Sequence, residues 1–254
     1  TFATGQTTVG VYTYYVTNTD TSTGCASPAD TVVLEINSPP SEPVATDTTV
    51  CSSDPIPDLV STGTNIKWYS DAALTNLVFT GDTLISGQTA AGTYTYYVTD
   101  SLGGCAASPA DTSVLVINDA AVVDAGTPVD SICEGSNYNV TGSISGGGST
   151  ILWTTSGDGT FDFDTALTAI YSPGVTDIST GSATLTITSN DPDAAGPCNA
   201  VTDDLILIIM PVATVSAGVD STICSSSTYT LAGSFGGGAS GITWTSSGNG
   251  TFDN

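Results

Sequence analysis

Histidine and arginine are absent from these 254 residues, and Lys67 is the only basic side chain. Phosphate backbones are gripped by Lys and Arg, so nucleic acid is excluded as a partner and anionic membrane surfaces are disfavoured. Without histidine, general-base work near neutral pH would fall to a carboxylate or lysine with a displaced pKa, and a serine nucleophile would lack its usual partner. Glutamate is scarce too: Glu35, Glu42 and Glu134 stand far apart in the chain. The absence of both His and CxxC argues against thiolate zinc sites. Long apolar runs are missing as well, and the longest, "LILIIM" at 205–210, is far too short to span a bilayer. These absences point to a chain that is neither an enzyme nor embedded in a membrane.

What is present is acidic and apolar. Asp and Glu total 25, for a formal charge of -24, yet only 10% of residues are charged while 39% are hydrophobic. That is enough apolar material for buried cores, so the chain folds.

Self-similarity organises it. "VYTYYVTNTDTSTGCASPADTVVLEIN" at 11–37 returns as "TYTYYVTDSLGGCAASPADTSVLVIN" at 93–118, about 80 residues later. A second repeat type, "DAGTPVDSICEGSNYNVTGSISGGGSTILWTTSGDGTFD" from 124, returns from 216 with a period of about 91 residues. The expected organisation is the closing half of one module at 1–38 and a complete module at 42–118. A complete module of the second type follows at 119–211, and the front part of another occupies 212–254. Any leader or anchor would lie outside this stretch.

Alternation predicts strands throughout. Ile66 and Trp68 share one face with Lys67 and Tyr69 on the other, and Tyr94, Tyr96 and Val98 line up together. Leu115 and Ile117 match Leu34 and Ile36, with Glu35 on the wet side. Gly-rich and Asp/Asn-Gly turns punctuate the runs, and no sustained helical period occurs. The fold class is all-β. Seven or so strands in 80 to 90 residues, with cysteine, tryptophan and cysteine in that order, fit tandem immunoglobulin-like β-sandwiches. Trp68 and Trp153 are expected in the cores. Short Pro-bearing or apolar joins, "INSPPSEPV" and "INDAAVVDAG", predict semi-rigid docking of neighbours into a rod.

Six cysteines allow 15 pairings. Repeat logic selects Cys51 with Cys105 and Cys133 with Cys198, leaving Cys25 and Cys224 to pair outside the window. Each bridge is expected to tie strand ends and loops at one pole of its module. Disulfides imply an oxidising compartment. The acids "FDFD" (Asp162, Asp164) and "DPD" (Asp191, Asp193) read as turn and surface residues. Calcium at loop poles is a further possibility, because hard cations take clustered carboxylates; no other cofactor is expected.

On these motifs the first repeat type resembles the immunoglobulin-like modules of giant secreted proteins of Bacteroidota. The second, with "WTTSGDGTF", "AIYSPGVTDISTGSATLTITSND" and "AGVDSTIC", resembles their PKD-like modules. The resemblance implies an extracellular, cell-surface adhesin or filament of the gliding-motility type, exported by the type IX route. Its partners would be neighbouring repeats, and surface glycans or other cells. It also admits a stalk of a secreted polysaccharide-degrading enzyme, or a surface layer or sheath. Finally, it implies O-glycosylation at Asp-Ser/Thr steps, with Thr31, Thr48, Thr83, Ser101, Ser131, Thr165 and Ser221 as acceptors.

Overall fold

The repeated phrase folds the same way twice. In the computed structural model, which describes residues 1–253 in two units, the first unit is Thr1–Asn118. It opens with β1 (Gly10–Val16) and β2 (Asp30–Ile36), an antiparallel hairpin in which Gly10 faces Ile36. The same unit then runs through β3 (Val44–Ala45), β4 (Thr48–Cys51), β5 (Leu59–Thr62), β6 (Lys67–Tyr69), β7 (Leu77–Thr80), β8 (Thr83–Leu84), β9 (Gly92–Thr99) and β10 (Asp111–Asn118). The β9–β10 pair places Gly92 opposite Ile117, the counterpart of Gly10 and Ile36.

Local bonds repeat with the register. Tyr12 and Tyr94 each donate their phenol to the carbonyl four residues earlier, Thr8 and Ala90, both at 3.0 Å. Ser27 Oγ accepts the amide of Asn18 (2.9 Å) and Ser108 Oγ that of Asp100 (2.8 Å), and each donates to the carbonyl of the following proline, Pro28 or Pro109. Asp30 and Asp111 each accept the next amide at 2.8 Å.

Strands β4, β10, β9, β6 and β7 form one sheet in that order, and β3, β5 and β8 the other. Between them lie Val50, Leu59, Ile66, Trp68, Leu84, Tyr96, Val98, Leu115 and Ile117, the face that alternation marks as apolar. Trp68 is 0% exposed, and its Nε1 donates to the carbonyl of Gly81 at 2.8 Å, satisfying the one polar atom it buries.

The second unit, from Asp119 onward, contains β11 (Ala121–Asp124), β12 (Val129–Cys133), β13 (Tyr138–Thr141), β14 (Ser143–Gly146), β15 (Ile151–Thr155), β16 (Thr160–Phe161) and β17 (Thr168–Ser172). A helix, α1 (Val175–Thr180), follows, then β18 (Ser182–Ser189), β19 (Thr202–Met210), β20 (Thr214–Ser216) and β21 (Ser234–Gly236). Sheets β12-β19-β18-β15 and β13-β17-β16 supply most of the core, with Val140, Ile151, Trp153, Tyr171, Leu185, Ile187, Leu205 and Leu207 buried together. Trp153 repeats the tryptophan device, donating Nε1 to Ala166 at 3.1 Å, again 13 residues on.

The chain is thus a tandem of immunoglobulin-like β-sandwiches, nearly all β. The helix α1 is the exception to the expectation of strands alone. It ends where Gly181 turns left-handed (φ 79°) and sends its amide back to the carbonyl of Asp177 at 2.9 Å.

Candidate functional site

Several carboxylates in this chain accept backbone amides. Asp100, at the head of the loop after β9, accepts the amides of Thr64 (3.0 Å), Asn65 (2.7 Å) and Ser101 (2.7 Å). Asp71 accepts those of Thr75 (3.1 Å) and Asn76 (2.6 Å). Asp111 on the last strand of the first complete sandwich accepts the amide of Ala45, and Asp203 on the last strand of the second accepts that of Ala125, both at 2.8 Å.

Donors of this kind stabilise the charged form. The Thr64 amide foremost holds Asp100 below the usual carboxylate range, the Asn76 amide does so for Asp71 and the Thr176 amide for Asp158. At Asp20, the Ser22 hydroxyl and amide lower the carboxyl to about 2. Carboxylates held so far down are poor proton carriers near neutral pH.

The acids flagged for calcium behave alike. Asp162 Oδ1 accepts the amides of Phe163 and Ile170 at 2.8 and 2.7 Å, and Asp191 Oδ1 accepts those of Asp193 and Ala194. Asp193 in turn accepts from Gly196 and Cys198, both at 3.1 Å. Among the described residues, no group of three or more His, Cys, Asp or Glu comes together as a metal site would require.

One acid escaped sequence reasoning altogether. Asp177 in α1 is 1% exposed, and its Oδ2 accepts the Tyr171 phenol (2.6 Å) and the amides of Gly159 and Gly174 (both 3.0 Å). Thr155 Oγ1 lies 2.8 Å from the same phenol oxygen and donates to it, since the phenol proton is committed to Asp177. Burial first, then the Asp177 hydrogen bond, pushes the Tyr171 phenol up to about 12. The "SGDG" phrase read as a turn is also a space requirement. A Cβ at Gly157 would fall 1.5 Å from Asp177 Oδ1, and one at Gly159 would fall 2.3 Å from the Tyr171 oxygen. Only the clustering of glycines at 157, 159 and 174 could have signalled that a buried group approaches the backbone there.

The cysteines overturn the expected pairing. Cys51 and Cys198 are each disulfide-bonded and buried, at 2% and 1% exposure, whereas Cys25, Cys105, Cys133 and Cys224 are free thiols. The bridges Cys51–Cys105 and Cys133–Cys198 are therefore not formed, and strand register gives the reason. Strand β4 runs parallel to β10 with Cys51 opposite Asn118, the trailing end of the sandwich. Cys105 lies ahead of Asp111, at the leading end of the same strand. Eight residues of strand put the two ends roughly 23 Å apart, whereas a disulfide needs Cα atoms within about 7 Å. The second sandwich repeats this arrangement, with Cys133 opposite Met210 at the end of β19 and Cys198 ahead of Thr202 at its start. The cysteines of a module share no pole.

Of the seven proposed glycan acceptors, Thr31, Ser131, Thr165 and Ser221 are exposed, while Thr48, Thr83 and Ser101 are half-buried. Ser101 also donates its hydroxyl to the carbonyl of Asn65 at 3.3 Å. They are scattered over strands and loops.

A family model described as "Ig-like domain CHU_C associated" matches residues 40–118. The first complete sandwich is similar to immunoglobulin-like domains of that type. Among solved structures, immunoglobulin domains 1–4 of Sidekick-1 share 10% identity over 78% of this chain and 57% of that one, with a TM-score of 0.39. Extracellular domains 3–5 of Drosophila OTK share 14% over 79% of this chain and 71% of that one, at 0.38. No curated protein matches the chain. No helix among the described residues is long and apolar enough to cross a membrane.

Proposed function

We propose that the chain is a non-enzymatic, load-bearing segment of a long secreted cell-surface repeat protein, an adhesin or filament stalk whose modules hold a binding region away from the cell. The observation that carries this reading is the repetition of one core device in two sandwiches of different sequence: a buried strand tryptophan tied through Nε1 to a carbonyl 13 residues on. Repeating a module with its internal bonds intact is what a spacer requires.

The carboxylates support the same reading, because they fasten loops to the sandwich ends and are held in their charged form. Two buried disulfide-bonded cysteines favour an oxidising, extracellular setting. The family match of residues 40–118 supports the immunoglobulin-like module type, and the sequence resemblance is what favours a bacterial surface adhesin of the gliding type, exported by the type IX route. Fractionation and immunogold labelling of the native cells would place the protein on projecting fibres. Label confined to the cytoplasm, or to a soluble hydrolase free of the surface, would refute the proposal.

A further inference from the structure

We propose that Cys105 is one half of a disulfide between successive sandwiches, its partner being the cysteine that occupies, in the sandwich ahead, the position Cys51 occupies in its own. This rests on the reading of the chain as a tandem array. The argument begins with Asn37. The register and hydrogen bonds shared by the β1–β2 and β9–β10 hairpins make Asn37, which follows β2 directly, the counterpart of Asn118. In the complete sandwich, Asn118 stands opposite Cys51 and its carbonyl accepts the Ser52 amide at 2.8 Å. A front half completing the β1–β2 hairpin would bring its own cysteine beside Asn37. Half-buried Cys105 already sits there, with Sγ 3.6 Å from the carbonyl oxygen of Asn37 and 3.8 Å from that of Ser38.

A second, independent observation comes from the cysteines that are already bonded. Cys51 is the trailing-end cysteine of its sandwich and Cys198 the leading-end cysteine of its own, and both are in disulfides. Both kinds of position therefore form disulfides in this chain, while strand register keeps the two kinds apart within a module. A leading-end thiol held against the last strand of the module ahead meets both conditions. The bond would bypass the "INSPPSE" linker, so tension would cross the joint through sulfur and not through that peptide alone.

Formation balances as exchange with a low-molecular-weight disulfide of the oxidising compartment. One protein thiolate attacks that disulfide and releases one small thiol. The second protein thiolate displaces the other, leaving a protein disulfide and two small thiols that take up the two protons.

The natural full-length protein should be digested without reduction, using an aspartate-directed protease because trypsin finds only Lys67, and its linked peptides sequenced by mass spectrometry. The expected result is Cys105 joined to a front-half cysteine of the module ahead, with that link lost in the Cys105→Ser variant. Cys105 joined to Cys51, joined to a second copy of itself, or alkylated without reduction in the natural protein would each overturn the proposal. In the 254-residue chain, Cys105 should alkylate fully before reduction and Cys51 should not. Failure of this mapping would leave the surface location untouched, because immunogold labelling tests that separately.

Discussion

The Tyr171 phenol donates to Asp177 Oδ2 at 2.6 Å inside the second sandwich, and the same carboxylate oxygen holds the amides of Gly159 and Gly174. Asp177→Ala would strand the buried Tyr171 phenol and the half-buried amides of Gly159 and Gly174 at once, a buried donor costing about 1–3 kcal/mol when left unpaired and a half-buried one less. The expected loss is about 3–5 kcal/mol, at the exceptional end for one substitution. Asp177→Asn keeps an acceptor and should cost about a third as much. Urea melts of the whole chain would measure both, and equal losses would mean that the carboxylate matters for packing alone.

The same pair sets an alkaline limit. An ordinary tyrosine titrates near 10, whereas Tyr171 is pushed up to about 12 in the fold. The unfolded chain therefore gives up this proton first. The contribution is intact below about pH 10 and is lost as pH rises from there through 12. Tyr171→Phe should flatten that part of the stability profile, and an unchanged slope would exclude Tyr171 as its source.

On the acid side the sign reverses. Asp100, Asp71 and Asp158 have carboxyls lowered by backbone amides, so the stability they confer is present above the usual carboxylate value and disappears as pH falls through their folded values. Thermal midpoints should be level from pH 7 to about 5 and drop below about 4. Asp100→Asn should shallow that drop, and a midpoint already falling near pH 6 would contradict this account.

Trp68 and Trp153 offer a matched test of the shared core. Replacing either with Phe leaves the carbonyl of Gly81 or Ala166 without its indole donor, at about 1–3 kcal/mol. Replacement by Ala should cost about 3–5 kcal/mol. Denaturant melts of the two variants should give similar losses; a neutral Trp→Phe change in one sandwich would show that its indole bond contributes nothing.

Glycan attachment should follow exposure. Intact-mass and peptide analysis of protein from its native cells should locate sugar at Thr31, Ser131, Thr165 or Ser221 before Ser101, whose hydroxyl is already engaged. Bare polypeptide would remove glycosylation from the account.

Much of the architecture was legible because it is local. A period of two exposes which residues share a strand face, so Trp68, Tyr96, Val98, Leu115 and Ile117 could be assigned to the core without coordinates. Asp177 was not legible, because an acid in "VTDIST" reads as surface until α1 turns it inward against Tyr171.

The cysteines divide the two kinds of knowledge most sharply. Composition, repeats and alternation by themselves determined a tandem of all-β modules without the basic groups for nucleic acid or the histidine for ordinary acid–base catalysis. They also showed two cysteines per complete module. Which cysteines can meet was decided only in three dimensions, where β4 lies parallel to the end of β10 and β12 to the end of β19. Strand pairing across more than 60 residues of sequence sets that register, and no local pattern around Cys51 or Cys105 encodes it. The resulting separation, a full strand length, is what keeps the cysteines of one sandwich from each other.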